Sequence, residues 1–141
     1  GLAVLGLLRL AALVEDGARF REVADAVLAS HAFVLARAPE AFPTLARAAA
    51  LAERGFGVAV VVGEDGPARE ALAARARALL GPEDGVIVSD GPCPAGIDPH
   101  WLLGRETEGD VATAYVCRGH TCSLPITDPS DLAADLPQEP V

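Results

Sequence analysis

The hydrophobic pattern of this 141-residue chain changes its period near residue 55, and this change constrains the fold more than any other feature. Before it, apolar residues recur every three or four positions, which is the spacing of amphipathic helices. After it come short β-branched runs separated by Gly, Pro and acidic residues, a pattern typical of strands joined by turns. We therefore assign the chain to the α/β class, with a helical segment over 1–55 and a small α/β region over 56–141.

Three helices are predicted in the first segment. Residues 2–14 are apolar almost all round, which predicts a helix that is packed on every side. Residues 20–35 repeat apolar side chains on a 3.6-residue period and predict an amphipathic helix that Pro39 ends. An Ala-rich helix follows over 40–54, with Gly55 as its stop. Antiparallel helices joined by such short turns form part of a bundle or of a helical toroid.

The second segment begins with the pattern of a βαβ unit. Continuous apolar runs at 58–62 and 86–88 flank a helix predicted over 67–80, and such a crossover is expected to be parallel and right-handed. A loop that enters a helix can hold phosphate. Here, however, the loop at 63–66 has neither the dinucleotide-binding nor the P-loop spacing, and it places two carboxylates where phosphate would sit. We expect no nucleotide binding at this unit.

A hairpin is predicted in the remainder of the chain. The predicted elements are a loop over 89–110 with a turn at 101–103, strands over 112–117 and 122–126 joined by a turn at 118–121, and a short helix over 128–136. Pro125 predicts that the last strand lies at an edge of the sheet. Asp128 is a candidate N-cap, because Pro129 follows it at the first helical position.

Charge and composition limit the partners and the compartment. The net charge is −9, and residues 1–55 hold six acids and six Arg, so the second segment carries all of it. An acidic surface argues against nucleic acid or an anionic membrane as partner, and no apolar run reaches the roughly 18 residues of a membrane helix. Three cysteines, an odd number, fit a reducing cytoplasm better than a disulfide scaffold. We expect a cytoplasmic protein without a membrane or nucleic-acid partner.

The absence of Met and the start at Gly1 lead us to expect a C-terminal piece of a longer protein. All 11 basic residues are Arg, a bias that is typical of a GC-rich genome.

Cys117 and Cys122 are the sharpest chemical feature of the chain. They flank a four-residue turn, and as a non-hydrogen-bonded pair their Cα atoms would lie about 4.5–5.5 Å apart, within disulfide range. They are therefore redox candidates, although reduced, partly buried thiols are the state we favour. With His120 and Cys93 they would supply the ligand types of a zinc site, but the spacing is irregular. We therefore expect no metal and no cofactor.

No catalytic constellation is predicted. His31 lies on the apolar stripe of the second helix and is expected to be a hydrogen-bonded core residue, while His100 lies in a loop beside Trp101. No serine has the context of a nucleophile elbow, and no pair of carboxylates is placed for glycoside chemistry. We assign no catalytic residue.

The segment ATAYVC at 112–117, followed by CSLPITDP at 122–129, closely resembles the C-terminal end of the large thioredoxin-domain-containing proteins also known as the spermatogenesis-associated protein family. Three shorter matches follow the same order, namely LLRL at 7–10, FRE at 20–22 and the strand at 58–63. In that family an N-terminal thioredoxin-like domain precedes an (α/α) toroid similar to sugar epimerases and six-hairpin glycosidases. The resemblance implies that residues 1–54 are the closing helices of the toroid, with the α/β region packed against it. The two cysteines of the last hairpin recur in the family, whereas a His at position 120 does not.

Two functions follow from this resemblance. The first is a non-catalytic C-terminal segment that completes an epimerase-like toroid linked to carbohydrate metabolism. Its partners would be the upstream domains of the parent chain, or further copies of the isolated piece through exposed helices. The alternative is a thiol redox element in which Cys117 and Cys122 exchange with the upstream thioredoxin-like domain. Under the first function the parent protein would be an epimerase-like enzyme, and under the second a redox enzyme. This segment alone would not be an enzyme.

Overall fold

A computed structural model of the chain describes residues 1–119 and 121–132. Within these ranges it has four α-helices and a four-stranded mixed sheet, which confirms the predicted α/β class. The chain divides into two units, Gly1–Phe56 and Gly57–Val141. None of the helices in the described ranges has the length and hydrophobicity needed to cross a bilayer.

The first unit contains the three predicted helices. They are α1 over Leu2–Leu13, α2 over Ala18–Arg37 and α3 over Pro43–Arg54. The third helix begins later than predicted, because Pro43 occupies its first position, where a fixed φ and a missing N–H cost nothing. The preceding residues Pro39–Ala41 form a separate 3₁₀ turn.

The prediction that α1 is packed on every side is wrong. Val4, Leu5 and Leu8 are buried, but Leu2 is 79% exposed and Leu10 is 42% exposed. Helices α2 and α3 both pack against α1, and they cover one side of it within this unit. Leu7 and Leu13 are half-buried, and Leu2 and Leu10 face solvent.

The second unit is built around a sheet with the strand order β2-β1-β3-β4. Its elements are β1 over Gly57–Val62, α4 over Pro67–Leu79, β2 over Gly85–Ser89, β3 over Thr113–Arg118 and β4 over Thr121–Cys122. β1 pairs in parallel with β2 through the α4 crossover and antiparallel with β3, so both the βαβ unit and the hairpin are confirmed.

The edge strand β4 is shorter than the predicted 122–126. Continuous pairing with β3 stops at Cys122; Ser123 still bonds Val116, and the next bridge to β3 is that of Ile126 with Ala114. Pro125 lies between them and has no N–H to donate. The position at the edge of the sheet is as predicted.

Helix α4 covers one face of the sheet and forms the core of this unit with it. The buried cluster comprises Leu72, Ala73 and Ala76 from α4, Ala59 and Val61 from β1, and Ala112, Ala114, Val116, Ile126 and Leu132 from the C-terminal part. All six residues of β1 are buried, as its continuous run of apolar residues predicts.

A capped turn closes the described part of the chain. The side chain of Asp128 accepts a hydrogen bond from the main-chain N–H of Ser130, and Pro129–Asp131 forms a 3₁₀ turn. The N-cap prediction is therefore confirmed. The remainder of the helix predicted to residue 136 lies outside the described residues.

Candidate functional site

Cys117 and Cys122 lie directly opposite each other on β3 and β4, and a disulfide joins their Sγ atoms. The N–H of Ser123 donates to the carbonyl of Val116 at 2.8 Å, which is the flanking bond of a non-hydrogen-bonded pair. The two Cα atoms are 3.9 Å apart, closer than the separation predicted from the spacing. The facing register is therefore the one the spacing predicts, but the cysteines are oxidised rather than the reduced thiols we favoured from the sequence.

The turn that joins the two strands explains this register. Arg118 and Thr121 are the last paired residues before it, so the loop has two residues. Gly119 has a φ of +60°, which is the left-handed conformation that two-residue hairpin turns require. A turn of fixed length leaves no freedom to slip, and it places Cys117 against Cys122. His120, the other residue of this turn, lies outside the described residues.

The two sulfur-bearing residues differ in exposure. Cys117 is 0% exposed, because β3 lies between β1 and β4 in the sheet. Cys122 is half-buried at the edge strand. Cys122 is therefore the more exposed residue of the pair.

Arg105 lies against the exposed end of this disulfide. Its Nη2 is 2.6 Å from the Sγ of Cys122. Its Nη1 donates to the carbonyls of His100 at 2.9 Å and Leu103 at 3.1 Å, and these two bonds hold the guanidinium in place. In the part of the chain that the structure describes, no carboxylate lies within ion-pair distance of Arg105. Among the described residues, the positive charge therefore faces the sulfur without a carboxylate partner.

The loop that carries Arg105 is attached to β3. The hydroxyl of Tyr115 donates to the carbonyl of Glu106 at 2.6 Å, and the N–H of Glu108 donates to the Oγ1 of Thr113 at 2.8 Å. Thr113, Tyr115 and Cys117 alternate along β3, so they share the face opposite α4. Burial, followed by the charge of Glu108, raises the pKa of Tyr115 above its ordinary value. The loop is thereby fixed along the strand that bears the disulfide.

Cys93, the third cysteine of the sequence, takes no part in the disulfide. Cys93 is a free thiol whose Sγ lies 3.4 Å from the carbonyl oxygen of Ile97. Within residues 1–119 and 121–132, no group of three or more His, Cys, Asp or Glu side chains is placed to hold a metal ion.

His31 and His100 make local hydrogen bonds or ion pairs with neighbouring residues. His100 lies 3.1 Å from Asp98, and the main-chain N–H of His100 lowers the pKa of that carboxyl. The prediction of a core position for His31 is wrong. It is exposed and lines an open cavity with Gly1 and residues 41–45, and its Nδ1 lies 2.9 Å from both the hydroxyl of Ser30 and the carbonyl of Val27.

A cavity of about 510 Å³ opens at the carboxyl ends of β1 and β2, where α/β sheets often bind ligands. Asp90 and Glu106 line it together with Arg105. The two acidic residues outnumber the one cation, and this balance does not favour an anionic ligand.

Sequence reasoning identified the cysteine pair but missed Arg105. That residue lies in a region without hydrophobic periodicity, 17 positions before Cys122. No motif spacing connects them, and the contact exists only because the loop folds back along β3.

Comparison with known proteins relates most of this chain to a small part of one longer protein. No protein-family model matches the chain, and no solved structure matches it at a significant level. The chain is 31% identical over 105 residues to human spermatogenesis-associated protein 20. The match takes in 68% of this chain but spans only 13% of the human protein. The chain is thus a distant relative of one part of spermatogenesis-associated protein 20.

Proposed function

We propose that this chain is a non-catalytic segment of a larger cytoplasmic protein of the spermatogenesis-associated protein type, in which its helices complete an epimerase-like toroid. The observation that carries the proposal is the exposed apolar surface of α2. Val23 is 51% exposed, Phe33 is 71% exposed and Val34 is 39% exposed, whereas Ala24 is the one buried residue of this helix.

Such a surface is unusual for a helix that faces only water. A helix in a folded protein buries one stripe of apolar side chains, and contiguous exposed apolar surface commonly marks an interaction site. On α2, Val23 and Val34 of the predicted stripe are exposed, and Phe33 beside the stripe is exposed as well. The length of the human relative supports a partner surface in the same polypeptide, because 87% of that protein lies outside the match, as follows from the 13% that is covered.

One substitution made in two contexts tests this proposal. Phe33→Ser should leave the free energy of unfolding of this chain within about 0.5 kcal/mol of the original, since the side chain is already exposed. In a longer protein that contains this segment, the same substitution should destabilise by about 2–3 kcal/mol, because there Phe33 would be buried. Leu124→Ser, at an 82% exposed position of the second unit, is the matched control. Equal and small effects of Phe33→Ser in both contexts would exclude this role for α2.

A second candidate function is a thiol redox element that uses Cys117 and Cys122. The disulfide that joins them favours it, since one of its residues is partly accessible and lies against a cation. In the longer protein the exchange partner would be a thioredoxin-like domain. Thiol titration of the folded chain before and after treatment with dithiothreitol, followed by mass measurement without reductant, tests it. Cys93 is a free thiol and serves as the internal reference, so reduction should add up to two reactive thiols to it. A pair that stays inert throughout would refute a redox role.

A further inference from the structure

We infer that Cys122 is the sulfur that exchanges with an external dithiol, that Cys117 is the resolving sulfur, and that Arg105 is a positioning residue that stabilises the Cys122 thiolate. This inference rests on the redox function proposed above and assigns a role to each group of that site.

Exposure decides which sulfur is attacked. An incoming thiolate must reach a disulfide sulfur directly, and access is one of the factors that set the exchange rate. Cys117 is 0% exposed in the strand between β1 and β4, whereas Cys122 is half-buried at the edge of the sheet. The accessible target is therefore the Sγ of Cys122.

The charge around Cys122 points to the same residue in the reduced state. A thiolate is stabilised by a neighbouring cation, and an arginine remains charged at every pH of interest. Arg105 touches the Sγ of Cys122 and has no carboxylate partner among the residues that the structure describes.

The neighbouring charges do not compete for this sulfur. Arg118, the next residue after Cys117, directs its guanidinium to Asp84 at 3.6 Å. Glu106 is exposed, and among the described residues its carboxylate forms no ion pair with Arg105. Arg105 is the charged group that the structure places in contact with Cys122.

The exchange balances as an ordinary two-step reduction. One thiolate of the dithiol attacks the Sγ of Cys122, the Cys117–Cys122 bond breaks, and Cys117 leaves as a thiolate that takes up a proton. The second thiol of the dithiol loses its proton and attacks the external sulfur of the mixed disulfide, which releases Cys122 as a thiolate beside Arg105. The protein gains two electrons, and the dithiol is oxidised to a disulfide. In the reverse direction, the Cys122 thiolate attacks an external disulfide and Cys117 resolves the intermediate.

Alkylation of the reduced chain by iodoacetamide tests the assignment. Peptide mass analysis as a function of time should show Cys122 modified at least about tenfold faster than Cys117. Arg105→Gln should slow the alkylation of Cys122 by about tenfold at neutral pH and move the midpoint of its pH profile upward, whereas Arg105→Lys should keep most of the rate. The fluorescence of buried Trp101 checks that both variants are folded.

Trapping with oxidised glutathione gives a second, independent readout. In a Cys93→Ser background, which removes the third thiol, reduced Cys117→Ser should form a stable mixed disulfide between Cys122 and glutathione, whereas in Cys122→Ser the buried Cys117 should form little. Faster reaction of Cys117 in either experiment, or an unchanged pH midpoint in Arg105→Gln, would overturn the inference while leaving a redox pair in place. A pair that dithiothreitol cannot reduce in the folded chain would instead refute the redox function itself.

Discussion

The carboxylate of Asp84, 2% exposed, lies 3.6 Å from the guanidinium of Arg118 and joins the ends of three strands. One of its oxygens accepts from the N–H of Gly57 at 3.0 Å, where β1 begins, and the other accepts from the N–H of Gly81 at 3.3 Å. Asp84 itself directly precedes β2, and Arg118 ends β3. A single buried side chain therefore fixes the amino ends of the parallel pair against the end of the antiparallel strand.

Asp84→Ala should lower the free energy of unfolding by about 3–5 kcal/mol, because it leaves a largely buried guanidinium without this carboxylate and two N–H groups without their acceptor. Denaturant unfolding followed by the fluorescence of Trp101, the single tryptophan, measures the loss. Asp110→Ala, which removes the same charge at an exposed position of this unit, should change stability by less than about 0.5 kcal/mol. Equal effects of the two substitutions would contradict a stabilising role for Asp84.

Tyr115 should control the stability of the second unit at alkaline pH. Burial raises its pKa in the folded state above the value of about 10 in an unfolded chain. The folded state then holds the proton more tightly, so this contribution to stability is complete below about pH 10 and is lost as the pH rises through the folded-state pKa. The chain has one Tyr, so tyrosinate absorbance reports this group alone. It has no Lys, so no lysine titrates in the same pH range.

Tyr115→Phe provides the control for this titration. The variant should lose about 1 kcal/mol at neutral pH, since it removes the hydrogen bond to the carbonyl of Glu106. It should also flatten the decline of stability above pH 10. If the tyrosinate absorbance of the original chain has its midpoint at the ordinary value of about 10, Tyr115 is not buried as described.

Leu72→Ala should destabilise the second unit by about 2–4 kcal/mol, because this 1% exposed side chain fills the space between α4 and the sheet. Leu124→Ala makes the same truncation at a position that is 82% exposed and should cost less than about 0.5 kcal/mol. Urea midpoints of the two variants measure the difference. A cost at position 72 no larger than at position 124 would mean that α4 does not pack on this face.

Gly63→Ala should cost more than about 2 kcal/mol, for two separable reasons. The residue has a φ of +154°, and a Cβ atom there would lie 2.8 Å from the Cα of Ala112. Gly91 has a φ of +141° with nothing within 4 Å, so Gly91→Ala carries only the backbone cost, about 1 kcal/mol. Thermal unfolding of both variants separates the cost of crowding from that of backbone strain. Equal losses of stability would show that Ala112 moves to make room for the new Cβ atom.

The features that could be predicted from the sequence are those that local patterns determine. The β-branched run at 58–62 identifies β1, Pro67 marks the start of α4, and the spacing of Cys117 and Cys122 indicates that they face each other. Each of these depends on residues that are neighbours in the chain. The sequence therefore reveals the strands, the crossover helix and one half of the candidate site.

The remaining features depend on contacts between residues that are far apart in the sequence. Local patterns in a single sequence do not reveal such contacts. The contact of Arg105 with Cys122 arises because an aperiodic loop folds along β3. An apolar pattern likewise indicates which residues can be buried but not whether a partner surface is present. His31 and the outer side of α1 are exposed for this reason.

The position of β1 in the sheet has a consequence for synthesis of the chain. β1 is made first of the four strands, yet its two neighbours are β2 and β3, and β3 begins only at Thr113. Until that strand leaves the ribosome, a row of valines with unpaired N–H and C=O groups stays open along one edge of β1, and such an edge can pair with other molecules. A nascent chain that stalls in the long loop before β3 would therefore be prone to aggregate, whereas the helices made before β1 pack through contacts close in sequence and need not wait.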